Sequence, residues 1–209
     1  MTGFAEFYTP WGFIPANDNV KPPPASHYHH NVDKLPLIVA LSGVAGSGKS
    51  TVAEYLQDIH GYTRVRFAGP LKAAMAALGL SAKQIEGDLK EVPCDLLCGH
   101  TPRYAMQTIG TEWGRNIIGE EFWTGLWRAA ANAVIEDGGR VVVDDCRFPN
   151  EAATVRKMGG DIYRIIGRGG LAGAHESERM DFIPDIVISN ESDILALYSK
   201  VDEALVRWG

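Results

Sequence analysis

The stretch LIVALSGVAGSGKST, residues 37–51, decides how the rest of the chain is read. Leu37 to Leu41 form an apolar, partly β-branched run that predicts a buried strand, and VAEYLQDI after the glycine-rich turn carries a helical period. Strand, glycine turn and helix in this order predict a phosphate loop. Glycines such as Gly46 and Gly48, with Ser47 between them, let successive backbone N–H groups converge on one point, and the positive end of the following helix adds to them. Lys49 can reach the β and γ phosphates, and the Ser50 hydroxyl can ligate the magnesium that bridges them. The expectation is a nucleoside triphosphate site. A glycine turn that binds nothing is the competing reading, and the flanking strand and helix weigh against it.

The chain has 209 residues, 45% of them hydrophobic, enough for one α/β domain with a sizeable core. Its formal charge of -6 argues against coating nucleic acid, which needs a basic face to release counterions. Cys94, Cys98 and Cys146 are an odd, sparse set that suggests free thiols in a reducing compartment. With no apolar run of roughly 20 residues and no basic-then-apolar leader, the expected location is the cytoplasm, with no membrane contact.

Residues 1–34 differ from the rest. Phe4, Phe7, Tyr8, Trp11 and Phe13 are interspersed with prolines, and no period lasts. The aromatics predict an extended arm packed on the domain or on a neighbouring subunit, the latter giving a homodimer. His27, His29 and His30 lack a carboxylate or cysteine partner nearby and read as a solvated linker.

Past the loop, the first helix is expected to end near His60, with Gly61 just beyond it, and YTRVRFA alternates as a second strand. Pro70 starts a helix whose first turn carries Lys72, either a phosphate ligand or a solvated lysine. Cys94, Cys98 and His100 have loose metal-like spacing but no complete ligand set. Thr101 and Pro102 open a further predicted helix, on which Arg103, Gln107, Thr111 and Arg115 recur every four residues. That stripe suits a phosphorylated, hydrogen-bonding ligand, and equally a polar outer face.

A helix is expected over residues 121–137, with Trp123 and Trp127 mostly core by spacing. RVVVDDCRF then ends a short buried strand in two aspartates, at the carboxyl end where open α/β sheets hold their ligands. Alternation sends Asp144 and Asp145 to opposite faces, so one of them faces the magnesium. Arg147 lies on the side of Asp145 and could stabilise the transferring phosphoryl group, or pair with an aspartate in the turn. Strand and helix patterns alternate to the C-terminus, with a glycine-rich segment from Gly167 to Gly173 and then HESER that reads as a lid or as an ordinary loop. Neither an internal repeat nor a second domain is visible.

GVAGSGKST, FAGPLK, QTIGTEWGR, DDCRFPNEA and HESE, in this order and spacing, resemble the bacteriophage deoxynucleoside monophosphate kinases, a branch of the P-loop nucleoside monophosphate kinases. The resemblance covers residues 35–209. It implies a three-layer fold with a central parallel sheet, helices on both faces and a helical substrate-binding insertion. It also implies phosphoryl transfer from ATP, with magnesium, to a deoxynucleoside 5′-monophosphate. Carried over by motif, Lys49, Ser50 and Thr51 hold the ATP phosphates and magnesium, with Asp145 as the carboxylate acting through water. Gly110, Thr111 and Trp123 match the deoxynucleotide site, with Lys72, Arg103, Gln107 and Asp144 assigned nearby, and Arg147 and Arg168 supply positive charge around the phosphates. Another small-molecule P-loop kinase is the alternative. A GTPase-type switch is weaker, because no N-K-x-D sequence follows a strand.

Overall fold

A computed structural model describes residues 35–169 and 180–206. The aromatic arm and the greater part of the expected lid lie outside the described residues. The strand expected before the glycine turn is β1, Ile38–Ser42, every residue of which is buried. Such a strand has to sit mid-sheet, and it does. With β2 (Tyr62–Arg64), β3 (Arg140–Val143), β4 (Asp161–Ile166) and β5 (Ile186–Ser189), it forms a parallel sheet of order β2-β3-β1-β4-β5.

Alternation along β1 sorts the two faces. Val39 and Leu41 pack in one apolar cluster with Val52 and Leu56 of α1 (Lys49–His60) and Leu197 and Val201 of α7 (Ile194–Val206). Ile38 and Ala40 belong to a second cluster with Trp127 and Ala131 of α5 (Phe122–Glu136) and Ala152 and Val155 of α6 (Pro149–Lys157). Helices therefore cover both faces, as the near-continuous apolar strands of a parallel sheet require. Polar contacts join α1 to α7: the Tyr55 hydroxyl donates to Asp202 at 2.8 Å, and the Tyr55 and Tyr198 rings stack at 4.0 Å. On the other face the fully buried Trp127 satisfies its indole N–H on the Val65 carbonyl at 3.0 Å.

The strand order places the functional end of the sheet. From β1 the chain crosses to β2 and β3 on one side, then to β4 and β5 on the other, so connections diverge at the carboxyl end of β1. A crevice opens there in doubly wound sheets, and the glycine turn starts at that point. The second strand is shorter than YTRVRFA suggests: Val65 still donates to Val142 of β3 at 2.9 Å, and Phe67 bonds Asp145 beyond it.

Where no second domain was visible in the sequence, the chain divides into two compact units. Among the described residues one contains 35–67 and 124–206, the sheet and its helices; the other is 68–123. The latter is helical: α2 (Gly69–Ala77), α3 (Ala82–Ile85), short 3₁₀ turns at Asp88–Glu91 and Asp95–Leu97, α4 (Pro102–Gln107) and a wide π-helix, Thr108–Ile118. Met75, Leu80 and Ile85 make its own small core, backed by Leu97, Met106 and Ile109. This is the helical insertion that the resemblance implies. It was hidden as a separate unit because four-residue helices and 3₁₀ turns are too short to show a period.

Candidate active site

The glycine turn leads into α1 through Gly48, whose φ of +106° is left-handed backbone. Lys49 opens the helix and its side chain folds back over the loop. The Nζ donates to the carbonyls of Gly43 and Val44, both at 2.7 Å. Burial lowers the Lys49 pKa to about 8; the charge of Arg147 pushes in the same direction and that of Asp144 opposes it. The loop thus carries a cation held by neutral acceptors in a partly dry site, short of negative charge. Ser47 is fully buried, and Ser50 is exposed at the first turn of α1.

Asp144 follows β3 and is only 6% exposed. Burial by itself would raise its carboxyl, but hydrogen bonds and charge from Arg64 and Arg66 outweigh this and hold it at about 2. Arg64 donates to Oδ2, and Arg66 donates through Nε to Oδ1 at 2.9 Å. Asp145 has a different partner: its Oδ1 accepts from the Phe67 backbone N–H at 2.9 Å. The two carboxylates therefore hold the segment after β2, which explains the early end of that strand. The residue before Asp144 by two, Val142, packs in the α1 cluster, whereas Val143, two before Asp145, packs in the α5/α6 cluster. The carboxylate in the electrostatic field of Lys49 is Asp144.

Breaking a buried, doubly paired carboxylate leaves two cations uncompensated. Asp144→Asn is expected to cost about 3 kcal/mol of unfolding free energy at pH 7. Because the folded pKa lies below the usual 3.8, the contribution is complete above that value and is lost as pH falls through about 2. Urea unfolding at pH 7 and pH 3 checks both parts; equal stability of the variant at pH 7 would show that the pair is not stabilising.

Arg147 is exposed, and its placement is set by the backbone. Buried Glu151 accepts the N–H groups of Arg147 and Phe148 at 2.7 and 3.1 Å, fixing the start of α6. Arg168 is also exposed and donates to the Ser192 carbonyl, at the approach to α7. Glycines let the chain close tightly here. A Cβ on Gly169 would stand 2.3 Å from the Ala45 carbonyl oxygen, so the chain after β4 lies directly on the loop. Met180 adds a thioether contact, accepting the Gly43 N–H at 3.1 Å.

The remaining predicted site residues lie in the helical unit. Lys72 is paired with Glu86 at 2.7 Å, and Arg103 with Glu91. Thr101 caps α4 by accepting the Tyr104 N–H at 3.1 Å, with Pro102 in the first helical position as expected. After Gln107 the α-helix widens into the π-helix that carries Gly110, Thr111 and Arg115. An α turn holds 3.6 residues, so a four-residue repeat drifts; a wider turn takes up that drift and keeps the polar stripe together. Trp123, 7% exposed, locks this helix. Its indole N–H donates to the Gly110 carbonyl at 2.7 Å, and a Cβ on Gly114 would stand 2.4 Å from the same nitrogen. Trp123, core by its spacing and assigned to the deoxynucleotide site by the resemblance, buttresses the helix that bears Gly110 and Thr111.

Cys94 and His100 meet through backbone, the Cys94 N–H donating to the His100 carbonyl at 3.2 Å. Among the described residues no group of three metal-ligating side chains forms, and no helix is long and apolar enough to cross a membrane. Arg64, Arg66 and Asn190 were missed in the sequence. The alternation of RVRF beside a strand ending in DD signals the first two, and an Asn just past a strand end signals the third.

A family model described as deoxynucleotide monophosphate kinase matches residues 98–201. A protein of Acanthamoeba polyphaga mimivirus bearing the same description is 35% identical over 182 residues, which cover 79% of this chain and 94% of that one. The deoxynucleotide monophosphate kinase of Escherichia phage RB69 is 29% identical over 108 residues, covering 49% of this chain and 44% of that protein. Among solved structures, an APS kinase of Mycobacterium tuberculosis aligns over 82% of this chain and 97% of its own, with 15% identity and a TM-score of 0.45. Shikimate kinase from Bacteroides thetaiotaomicron aligns over 80% and 96%, with 15% identity and a TM-score of 0.40.

Proposed function

We propose, since the chain belongs to the deoxynucleotide monophosphate kinase family and phosphorylates deoxynucleoside 5′-monophosphates with ATP, that residues 43–51 hold the donor phosphates and the 68–123 unit supplies the acceptor contacts. The observation that carries this reading is the Lys49 ammonium, desolvated and resting on two neutral carbonyls. Anionic phosphate oxygens are stronger acceptors than carbonyls, so Lys49 exchanges the Gly43 and Val44 oxygens for those of the donor. Backbone N–H groups of Gly46, Ser47 and Gly48, together with Ser50, Thr51 and the N-terminus of α1, complete the cradle.

The Ser50 hydroxyl, exposed at the first turn of α1, is a hard oxygen donor that would suit magnesium arriving with the triphosphate, which needs only one or two protein ligands beside the phosphates. Bound there, magnesium would neutralise donor charge. The carboxylate for that role, acting through water, comes from the Asp144–Asp145 pair: the charge of Asp144 raises the Lys49 pKa, and Asp145 accepts the Phe67 N–H. Arg147 and Arg168 add positive charge around the donor, and Gln107, Gly110 and Thr111 present the acceptor's polar contacts, with Lys72 and Arg103 nearby. The acceptor phosphate is already ionised near neutral pH, so no general base is needed and the work is positioning and charge neutralisation. The described cysteines are free thiols, which suits a cytoplasmic setting.

Two results test these roles. Arg147→Ala is expected to lower kcat by about 100-fold while weakening ATP binding less than threefold, because charge develops on the transferring group only in the transition state. Equal losses in both would make Arg147 a ground-state or structural residue. The second result is a pH profile. In free enzyme Lys49 is charged below about pH 8, so kcat/KM for ATP falls as pH rises through that value. Bound phosphates favour the ammonium and shift the fall in kcat to higher pH. A flat kcat/KM between pH 7 and 9.5 would exclude Lys49 as the titrating ligand.

A further inference from the structure

Asn190 stands immediately after β5, held in line by its N–H, which donates to the Ile166 carbonyl at 2.7 Å. It is a buried polar residue, 7% exposed, and its side chain reaches the glycine loop: Nδ2 donates to the Ser47 carbonyl at 2.8 Å. The fit is close from two sides. A Cβ on Gly48 would lie 2.5 Å from that same Nδ2, and one on Gly167, after β4, would lie 3.3 Å from the Asn190 backbone. A planar trans peptide points its carbonyl and its N–H in opposite directions. Anchoring the Ser47 oxygen on Asn190 therefore turns the Gly48 N–H away from β5.

We propose that Asn190 is a positioning residue for ATP: it fixes the Ser47–Gly48 peptide so that the Gly48 N–H is presented to the donor phosphates before they arrive. The inference rests on the reading of residues 43–51 as the donor site. Asparagine suits the task because its amide donates without charge, whereas an ionised aspartate of the same shape offers only acceptors to a carbonyl. Preorganisation of this kind acts on affinity for the donor, and the chemical step follows once the donor is seated.

The test uses the full chain with Asn190→Ala and Asn190→Asp, magnesium and the non-hydrolysable donor analogue AMP-PNP, titrated calorimetrically beside wild type, with circular dichroism to verify folding. Asn190→Ala is expected to weaken AMP-PNP binding about tenfold, with KM for ATP rising in parallel and kcat changing less than threefold. Asn190→Asp is weaker still at pH 8. Relative to wild type it recovers at least threefold at pH 5.5, where the buried carboxyl, its pKa raised by desolvation, is protonated and donates again. That recovery compares one protein with itself, so it decides the matter even if Asn190→Ala does not fold. Wild-type affinity in the variants that fold, or a defect in Asn190→Asp of the same size at both pH values, overturns the proposal. Lys49→Ala run alongside separates the two levels: retained turnover there removes the donor-site reading itself.

Discussion

Lys49→Ala lowers turnover by about three orders of magnitude, the scale on which preorganised charge at a transferring phosphoryl group acts, and leaves the protein folded. The second half of that expectation comes from the electrostatics. In the ligand-free protein burial disfavours the ammonium, and its pKa falls from the usual 10.5 to about 8. Its partial compensation is two carbonyl contacts from its own loop and the charge of Asp144. Removing a desolvated charge together with those contacts is expected to change unfolding free energy by less than about 1 kcal/mol. Single-turnover assays and urea unfolding on the same sample check both statements, and wild-type turnover in the variant would refute the assignment.

Gly114→Ala should have the next largest effect, at the other substrate. A methyl group there would stand 2.4 to 2.8 Å from the Trp123 indole. The ring cannot easily retreat, since Phe122 packs edge-on against it at 4.7 Å and its N–H is committed to the Gly110 carbonyl. The π-helix has to shift, carrying Gln107 and Thr111 with it. We expect KM for the deoxynucleoside monophosphate to rise more than tenfold with AMP-PNP affinity unchanged, and unfolding free energy to fall by about 1–3 kcal/mol, as for other overpacked sites. An unchanged acceptor KM would show that this helix does not present the acceptor.

Much of the glycine loop and its flanks was legible in order. The strand before Gly43, the turn, and a helix closing at Gly61 need only local rules, and Gly61 does close α1, its N–H donating to the Leu56 carbonyl. The helical unit was half legible. A polar residue every fourth position looks helical whether the turn is α or π, because four lies between the two periods; the indole of Trp123 lies against Gly114 in the wide turn, a contact with no local signature. The separate partners of Asp144 and Asp145 were likewise not legible. Alternation could say that the pair diverges, but the partners of Asp144 are Arg64 and Arg66, 80 and 78 residues earlier in the sequence.

By itself the sequence determined what depends on neighbours along the chain: the glycine turn between β1 and α1, the alternation of strands and helices, the caps at Thr101 and Pro102, and the family. Tertiary structure alone decided the rest. It chose the strand order β2-β3-β1-β4-β5, which brings Asn190 onto the Ser47 carbonyl across 143 positions of sequence. It also decided the pairing that holds Asp144 ionised and the width of the helix after Gln107. The physical reason is common to all three. Local propensity acts over a few residues, whereas a buried charge or an orphan carbonyl is satisfied by whichever partner the packed sheet brings within 3 Å.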